Sequence, residues 1–336
     1  MEAYTIVGSP GSPYSRKLRA VLRYRRIPFR WINQGSPESV GLPQPKVALQ
    51  PRLILDGEAR TDTTPLIREL EQRVPGERSV IPTDAAVAFL DALLEDYGDE
   101  WLTKAMFHYR WAYEADIHKA SRILPRWSSS LASDEALSRL GEEFAKRQIG
   151  RLWVVGSNET TGPVIEASYV RFLELFEDHL RNHRFVLGDR PGTSDFGLYG
   201  QLTQLATFDP TAVATTLEHG PRVAAYTDVV EDLSGNEPTE EGWFGRDGIP
   251  DTLRALLGEV GRVYAPFLLA NAAALESGSE RVDCEIDGKP WTQKPFPYQG
   301  KCLVWLREDY SRLEAADRSF VDETLAGTGC EALFAT

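Results

Sequence analysis

The hydrophobic pattern of the chain changes period along its length, and each change marks an element boundary. Tyr4 to Val7 is a short β-branched run that suits a buried strand, and the Gly/Ser/Pro cluster from Gly8 to Pro13 breaks it with a turn. Ser12 followed by Pro13 reads as a helix N-cap with proline at the first helical position. Tyr14, Leu18, Val21 and Leu22 then recur at helical spacing, with Arg16, Lys17, Arg19 and Arg23 mostly on the other face. Ile27 to Ile32 predicts a second strand, with Pro28 suited to an edge. Beyond a Gly/Ser/Pro-rich loop from Gln34 to Pro45, Arg52 to Leu55 and Glu58 to Thr61 predict a hairpin about Asp56-Gly57. Asp62-Thr63-Thr64-Pro65 caps a helix that ends by Pro75.

From Ala85 onward the period is helical. Phe89, Leu93, Leu94, Tyr97 and Trp101 recur at three- and four-residue steps, predicting helices over 85–97 and 101–115 with one buried stripe. Further helices are predicted over 134–149 and 164–181. The run from Phe185 to Gln201 resembles the buried helix of glutathione transferases that begins Ser/Thr-x-x-Asp, a capping box in which Asp195 matches the aspartate at N3 but Gly192 stands where the hydroxyl residue is expected. Glycine at an N-cap costs only a few tenths of a kcal/mol, so the departure should leave the fold intact. Pro221 to Tyr226 resembles the last helix of the same family. After Ser234 the pattern changes again: a Gly/Glu/Pro-rich connector over 235–250, then a helix through Leu253, Leu256, Leu257, Val260 and Val263 towards Ala274. Val282, Cys284 and Ile286 alternate into an Asp287-Gly288 turn, with Trp291 on the return strand. Leu303, Leu306, Tyr310 and Leu313 mark a closing helix, followed by Phe320 to Leu325 with Gly327 as its stop.

Composition narrows the function classes. With 37 Lys+Arg against 50 Asp+Glu the formal charge is -13, which repels phosphate backbones and argues against nucleic-acid binding. The apolar runs fall well short of the roughly 20 residues that span a bilayer. The start Met-Glu-Ala-Tyr has neither a basic segment nor an apolar core, so a cytoplasmic protein is expected. Cys284, Cys302 and Cys330 suggest neither a disulfide framework nor a metal site. Chemistry concentrates instead at the first turn, where a helix N-terminus aims unpaired N–H groups and a positive dipole end at one spot beside the Ser12 hydroxyl. Such an environment favours a thiolate over a thiol.

That turn resembles the active-site turn of glutathione transferases, most closely the zeta- and omega-like classes with Ser or Cys, then Pro, an aromatic residue and a basic helix. The order strand, helix, three strands, helix is similar to that family's version of the thioredoxin fold. The resemblance implies an α/β thioredoxin-like domain (1–78), an all-helical domain (85–233) and an added α+β extension (234–336). It also implies glutathione as co-substrate, with Ser12 steadying its thiolate, or Tyr14 replacing or assisting it. Gln50 would pair with the cysteinyl backbone beside a cis Pro51, and Asp62 and Thr63 would hold the γ-glutamyl end. Lys46 or Arg52 would serve the glycyl carboxylate. Tyr97, Trp101, Met106, Tyr109 and Arg110 are the residues expected to line a pocket for a small apolar electrophile, and a homodimer is the usual assembly. Two alternatives stay open: a non-catalytic binding or scaffold protein, and a thiol–disulfide oxidoreductase, the latter disfavoured because position 12 is Ser.

Overall fold

The computed structural model describes residues 3–239 and 242–335. The first two residues of the Met-Glu-Ala-Tyr start, and residues 240 and 241 of the connector read over 235–250, lie outside the described residues. Strands β1 (Tyr4–Gly8), β2 (Phe29–Asn33), β3 (Arg52–Leu55) and β4 (Glu58–Arg60) form one sheet in the order β2-β1-β3-β4. β1 runs parallel to β2 and antiparallel to β3, and β3 and β4 form the hairpin over Asp56-Gly57, both at positive φ. Helices α1 (Pro13–Tyr24) and α2 (Thr63–Arg73) complete this unit. The Gln50–Pro51 peptide is cis.

Then follow α3 (Ala85–Glu100), α4 (Leu102–Ala112), α5 (Glu114–Ser128), α6 (Asp134–Ile149), α7 (Gly162–His179), α8 (Thr193–Leu205), α9 (Pro210–His219) and α10 (Pro221–Val230). Every residue of α8 is buried, and it packs between α1 and α3. The pattern reading missed α5 as a separate helix, although Ile117, Ala120, Leu124 and Trp127 have helical spacing. The remainder is α11 (Asp251–Glu259), a π-helical stretch (Val260–Tyr264), α12 (Ala265–Ser277), the antiparallel hairpin β5 (Val282–Ile286) and β6 (Lys289–Gln293), then α13 (Pro297–Arg312) and α14 (Ala315–Leu325). Helices α13 and α14 pack on α3, so one apolar core runs from the sheet into this last segment.

Two expectations change on inspection of the packing. Lys17, assigned to the polar face of α1, is fully buried, with Nζ on Glu95 at 2.5 Å, on Asp99, and on Thr64 Oγ1 at 3.3 Å. Burial alone would lower its pKa, but the Asp99 and Glu95 carboxylates hold it above the usual lysine range. The ion cluster ties α1, α2 and α3 together behind the first turn. At α8 the missing N-cap hydroxyl is replaced from another helix. Asp91 of α3 accepts from the N–H groups of Thr193 (2.8 Å) and Ser194 (3.0 Å) and from both hydroxyls (2.7 and 2.5 Å). Asp195 supplies the other half of the box, accepting from Gly192 N–H at 2.8 Å, and also takes Val186 N–H and the Tyr226 hydroxyl. A Cβ on residue 192 would lie 2.4 Å from Asp91 Oδ1, so the glycine leaves room for the carboxylate that does the capping.

Candidate functional site

The first turn is organised by local polarity. Ser12 is extended (φ -98°, ψ 116°), and its Oγ accepts from Ser15 N–H at 3.3 Å. Pro13 has no N–H, and Tyr14 N–H has no acceptor among the described residues. Because a serine oxygen that accepts in a cap still carries its own hydrogen, Ser12 keeps an O–H to donate. The turn is held from outside by Arg110, whose Nη1 donates to Gly11 O at 3.3 Å. Its Nε and Nη2 clamp Asp209 at 3.0 and 2.8 Å, and Nη2 also reaches Gln204 Oε1 at 2.6 Å. Helix α5 rests directly on it: a Cβ at residue 11 would meet Leu124 Cδ2 at 2.6 Å and Trp127 Cζ3 at 2.7 Å.

Ser12 opens on a cavity of about 520 Å³ walled by Met106, Phe107, Trp111, Leu124, Trp127 and Phe144, with Ser9, Gln34, Gln50 and Arg110 among its polar residues. A second cavity of about 500 Å³ is bounded by Tyr14, Gln50, Asp62, Thr63, Asp99, Glu100 and, from the far end of the chain, Phe296 and Tyr298. Gln50 borders both, so the two cavities flank it just before β3 and together make up the candidate cleft. At its second end Asp62 stands at φ 80°, a conformation that non-glycine residues rarely adopt. Its carboxylate does not cap α2; Oδ2 accepts instead from the Tyr298 hydroxyl at 2.9 Å. Burial raises the Asp62 pKa, with the Tyr298 hydrogen bond and the Lys17 charge acting against it. Burial and the charges of Asp96 and Asp99 push Glu100 up to about 8.

The expected residues divide between cleft and core. Ser12, Gln50, Tyr14, Asp62, Thr63, Met106 and Arg110 border the cleft. Tyr14 lines the Asp62 end, and its hydroxyl is taken, donating to Asp99 O at 2.9 Å. Burial, with the Glu100 and Asp99 charges, holds its pKa well above the ordinary tyrosine value. Tyr97, Trp101 and Tyr109 do not reach the cavities. Tyr97 packs on Phe172 and Tyr264, Trp101 on Trp291, Tyr264 and Phe267, and Tyr109 on Tyr113 and Tyr169. The stripe expected to face a pocket is covered largely by the C-terminal segment. Lys46 is exposed and lines neither cavity. Arg52 is buried on β3, donates to the Gln34 side chain and also stays off both walls. Pattern reading missed Phe107, Trp111, Leu124, Trp127 and Phe144. Their signal, large apolar residues on the α4, α5 and α6 faces, is the same one that marks ordinary core.

Comparison with known families agrees with this architecture. The family model described as "Glutathione S-transferase, N-terminal domain" matches residues 6–78, and "Glutathione S-transferase, C-terminal domain" matches residues 133–228. The chain belongs to the glutathione S-transferase superfamily. Solved structures with a similar course include a glutathione S-transferase from Methylobacterium radiotolerans, in complex with glutathione sulfonate (17% identity, TM-score 0.40, covering 73% of this chain and 99% of that one). Others are a glutathione S-transferase from Rhodospirillum rubrum (18%, 0.42, 72% and 96%) and poplar glutathione transferase F1 (19%, 0.41, 70% and 95%). No curated protein matches the sequence. The described residues contain no helix long and apolar enough to cross a membrane.

Proposed function

We propose that this superfamily member is an active glutathione transferase that binds glutathione along the cleft and transfers its sulfur to a small apolar electrophile. One observation carries the reading: Ser12 and Gln50 border one cavity, and Gln50 also borders a second that Asp62 and Thr63 line. In this reading Asp62 takes the ligand's ammonium, Thr63 and the start of α2 its α-carboxylate, and Gln50 its peptide backbone beside Pro51. The sulfur then lies at the α1 N-terminus. There the Ser12 O–H and the free Tyr14 N–H stabilise the thiolate, and the dipole end of the helix adds to them. Ser12 is favoured over the Tyr14 phenol because the phenol already donates to Asp99 O, at the other end of the cleft. Met106, Phe107, Trp111, Trp127 and Phe144 would hold an apolar electrophile against the sulfur, converting a bimolecular encounter into a positioned attack. The thiolate displaces a leaving group such as halide, and the thiol proton passes to solvent.

The test is conjugation of glutathione to a nitro-substituted aryl halide, followed by absorbance, for the natural protein and Ser12→Ala. The reading predicts turnover that falls by about 10- to 100-fold in the variant, the range of one donor hydrogen bond to a developing or resident anion. Glutathione binding with no turnover of any electrophile would favour a binding protein instead.

A further inference from the structure

The C-terminal segment, which lies beyond both matched family regions, does more than cover the core: it builds part of the cleft. Phe296 and Tyr298 line the Asp62 cavity, Tyr298 from 236 residues away in sequence, and they are fixed there. Asn271 of α12 pairs with the Phe296 backbone on both sides, accepting its N–H at 2.8 Å and donating to its carbonyl at 3.1 Å. Gln299 donates to Glu100 O at 3.1 Å and Oε2 at 3.0 Å, and the Trp305 ring packs edge-on against Tyr298. Tyr298 is thus fixed through the anchored residues on either side of it and by the Trp305 ring. Its hydroxyl occupies only Oδ2 of Asp62. Asp99, which also borders this cavity, has its Oδ2 paired with Lys17 and its Oδ1 buried away from the cavity surface.

We propose that Tyr298 completes the amine end of the cleft. A ligand ammonium is held by Asp62, with the Tyr298 phenol fixing the Asp62 carboxylate in the orientation that receives it. The site is thereby finished within one chain, and it selects thiol peptides with a free α-amine over those without one. This inference rests on the glutathione reading. Tyr298 acts as a positioning and specificity-determining residue, not a catalytic one, because it lies at the end of the cleft remote from Ser12.

Calorimetric titration of the full-length protein and of Tyr298→Phe with glutathione and with its deaminated analogue, glutaryl-cysteinylglycine, tests this. The natural protein should prefer glutathione by about tenfold or more, a charge-assisted hydrogen bond's worth of affinity. Tyr298→Phe should weaken glutathione severalfold and leave the analogue unchanged, so that the preference narrows. Equal affinity of the natural protein for both peptides overturns the inference while leaving the glutathione reading standing. A loss on Tyr298→Phe that is the same for both peptides also overturns it, because that is what a merely structural residue would give. Failure of the natural protein to bind either peptide overturns both readings.

Discussion

The N-termini of α1 and α8 start from the same chemistry and end in opposite states. Each presents unpaired amides and a positive dipole end, and each is preceded by a small residue, Ser12 or Gly192. At α8 two buried carboxylates, Asp91 and Asp195, accept from the N–H groups of Gly192, Thr193 and Ser194, and every residue of the helix is buried. At α1 the cap found among the described residues is a 3.3 Å bond from Ser15 N–H to Ser12 Oγ, and the end opens on a cavity. The difference shows how one motif serves structure or chemistry: a helix end sealed by the protein's own anions is a clamp, whereas one left with weak local capping can receive an anion from outside.

Sealing should therefore be costly to undo and opening cheap. Asp91→Ala leaves two amides and two hydroxyls of α8 without their acceptor, and is expected to destabilise the protein by about 3 kcal/mol, read from urea unfolding. Gly192→Ala pushes a methyl towards Asp91 Oδ1, and about 1–3 kcal/mol should be lost in the same assay. Burial pushes the Asp91 carboxyl up from 3.8 to about 6, so the folded state binds its proton more tightly than the unfolded one. Its contribution is full below pH 3.8 and is lost as pH rises through 6. Asp91→Asn should remove that decline, and the natural protein's stability minus the variant's should fall between those pH values. A flat difference would mean that Asp91 is not held near-neutral. The smallest stability effect belongs to the other end: Ser12→Ala should cost only about 0.5–1 kcal/mol in unfolding while changing the chemistry of the cleft. If Ser12→Ala destabilised as much as Asp91→Ala, the contrast between the two ends would collapse.

Which parts of this were legible in the sequence follows from the range of the interactions. The Ser12-Pro13 start, the Asp56-Gly57 and Asp287-Gly288 turns and the succession of strands and helices in the first unit are set by neighbours a few residues apart, and periodicity and turn chemistry reveal them. The cap on α8 is not local. Glycine at residue 192 looks like a weakened cap until Asp91, 102 residues from its partner Thr193, is seen to fill the gap. The stripe of Tyr97, Trp101 and Tyr109 has the spacing of a buried face, but spacing says nothing of what buries it. Tyr264, Phe267 and Trp291 from the last third of the chain cover two of the three. Lys17 could not be placed inside on pattern alone, since a buried lysine depends on carboxylates supplied by α3. The resemblance to glutathione transferases brought Gln50, Pro51, Asp62 and Thr63 together as a group. Tyr298 lay beyond its reach, because the segment that carries it lies outside the family's two matched regions.

The central claim is that the open end of α1, through Ser12, stabilises a thiolate. Ultraviolet absorbance of the bound thiolate against pH, for the natural protein and Ser12→Ala saturated with glutathione, measures this directly. The account predicts a bound-thiol pKa well below the ordinary value of about 8.5 in the natural protein, and a return towards that value in the variant. A bound thiol that titrates at the same pH in both proteins would contradict it.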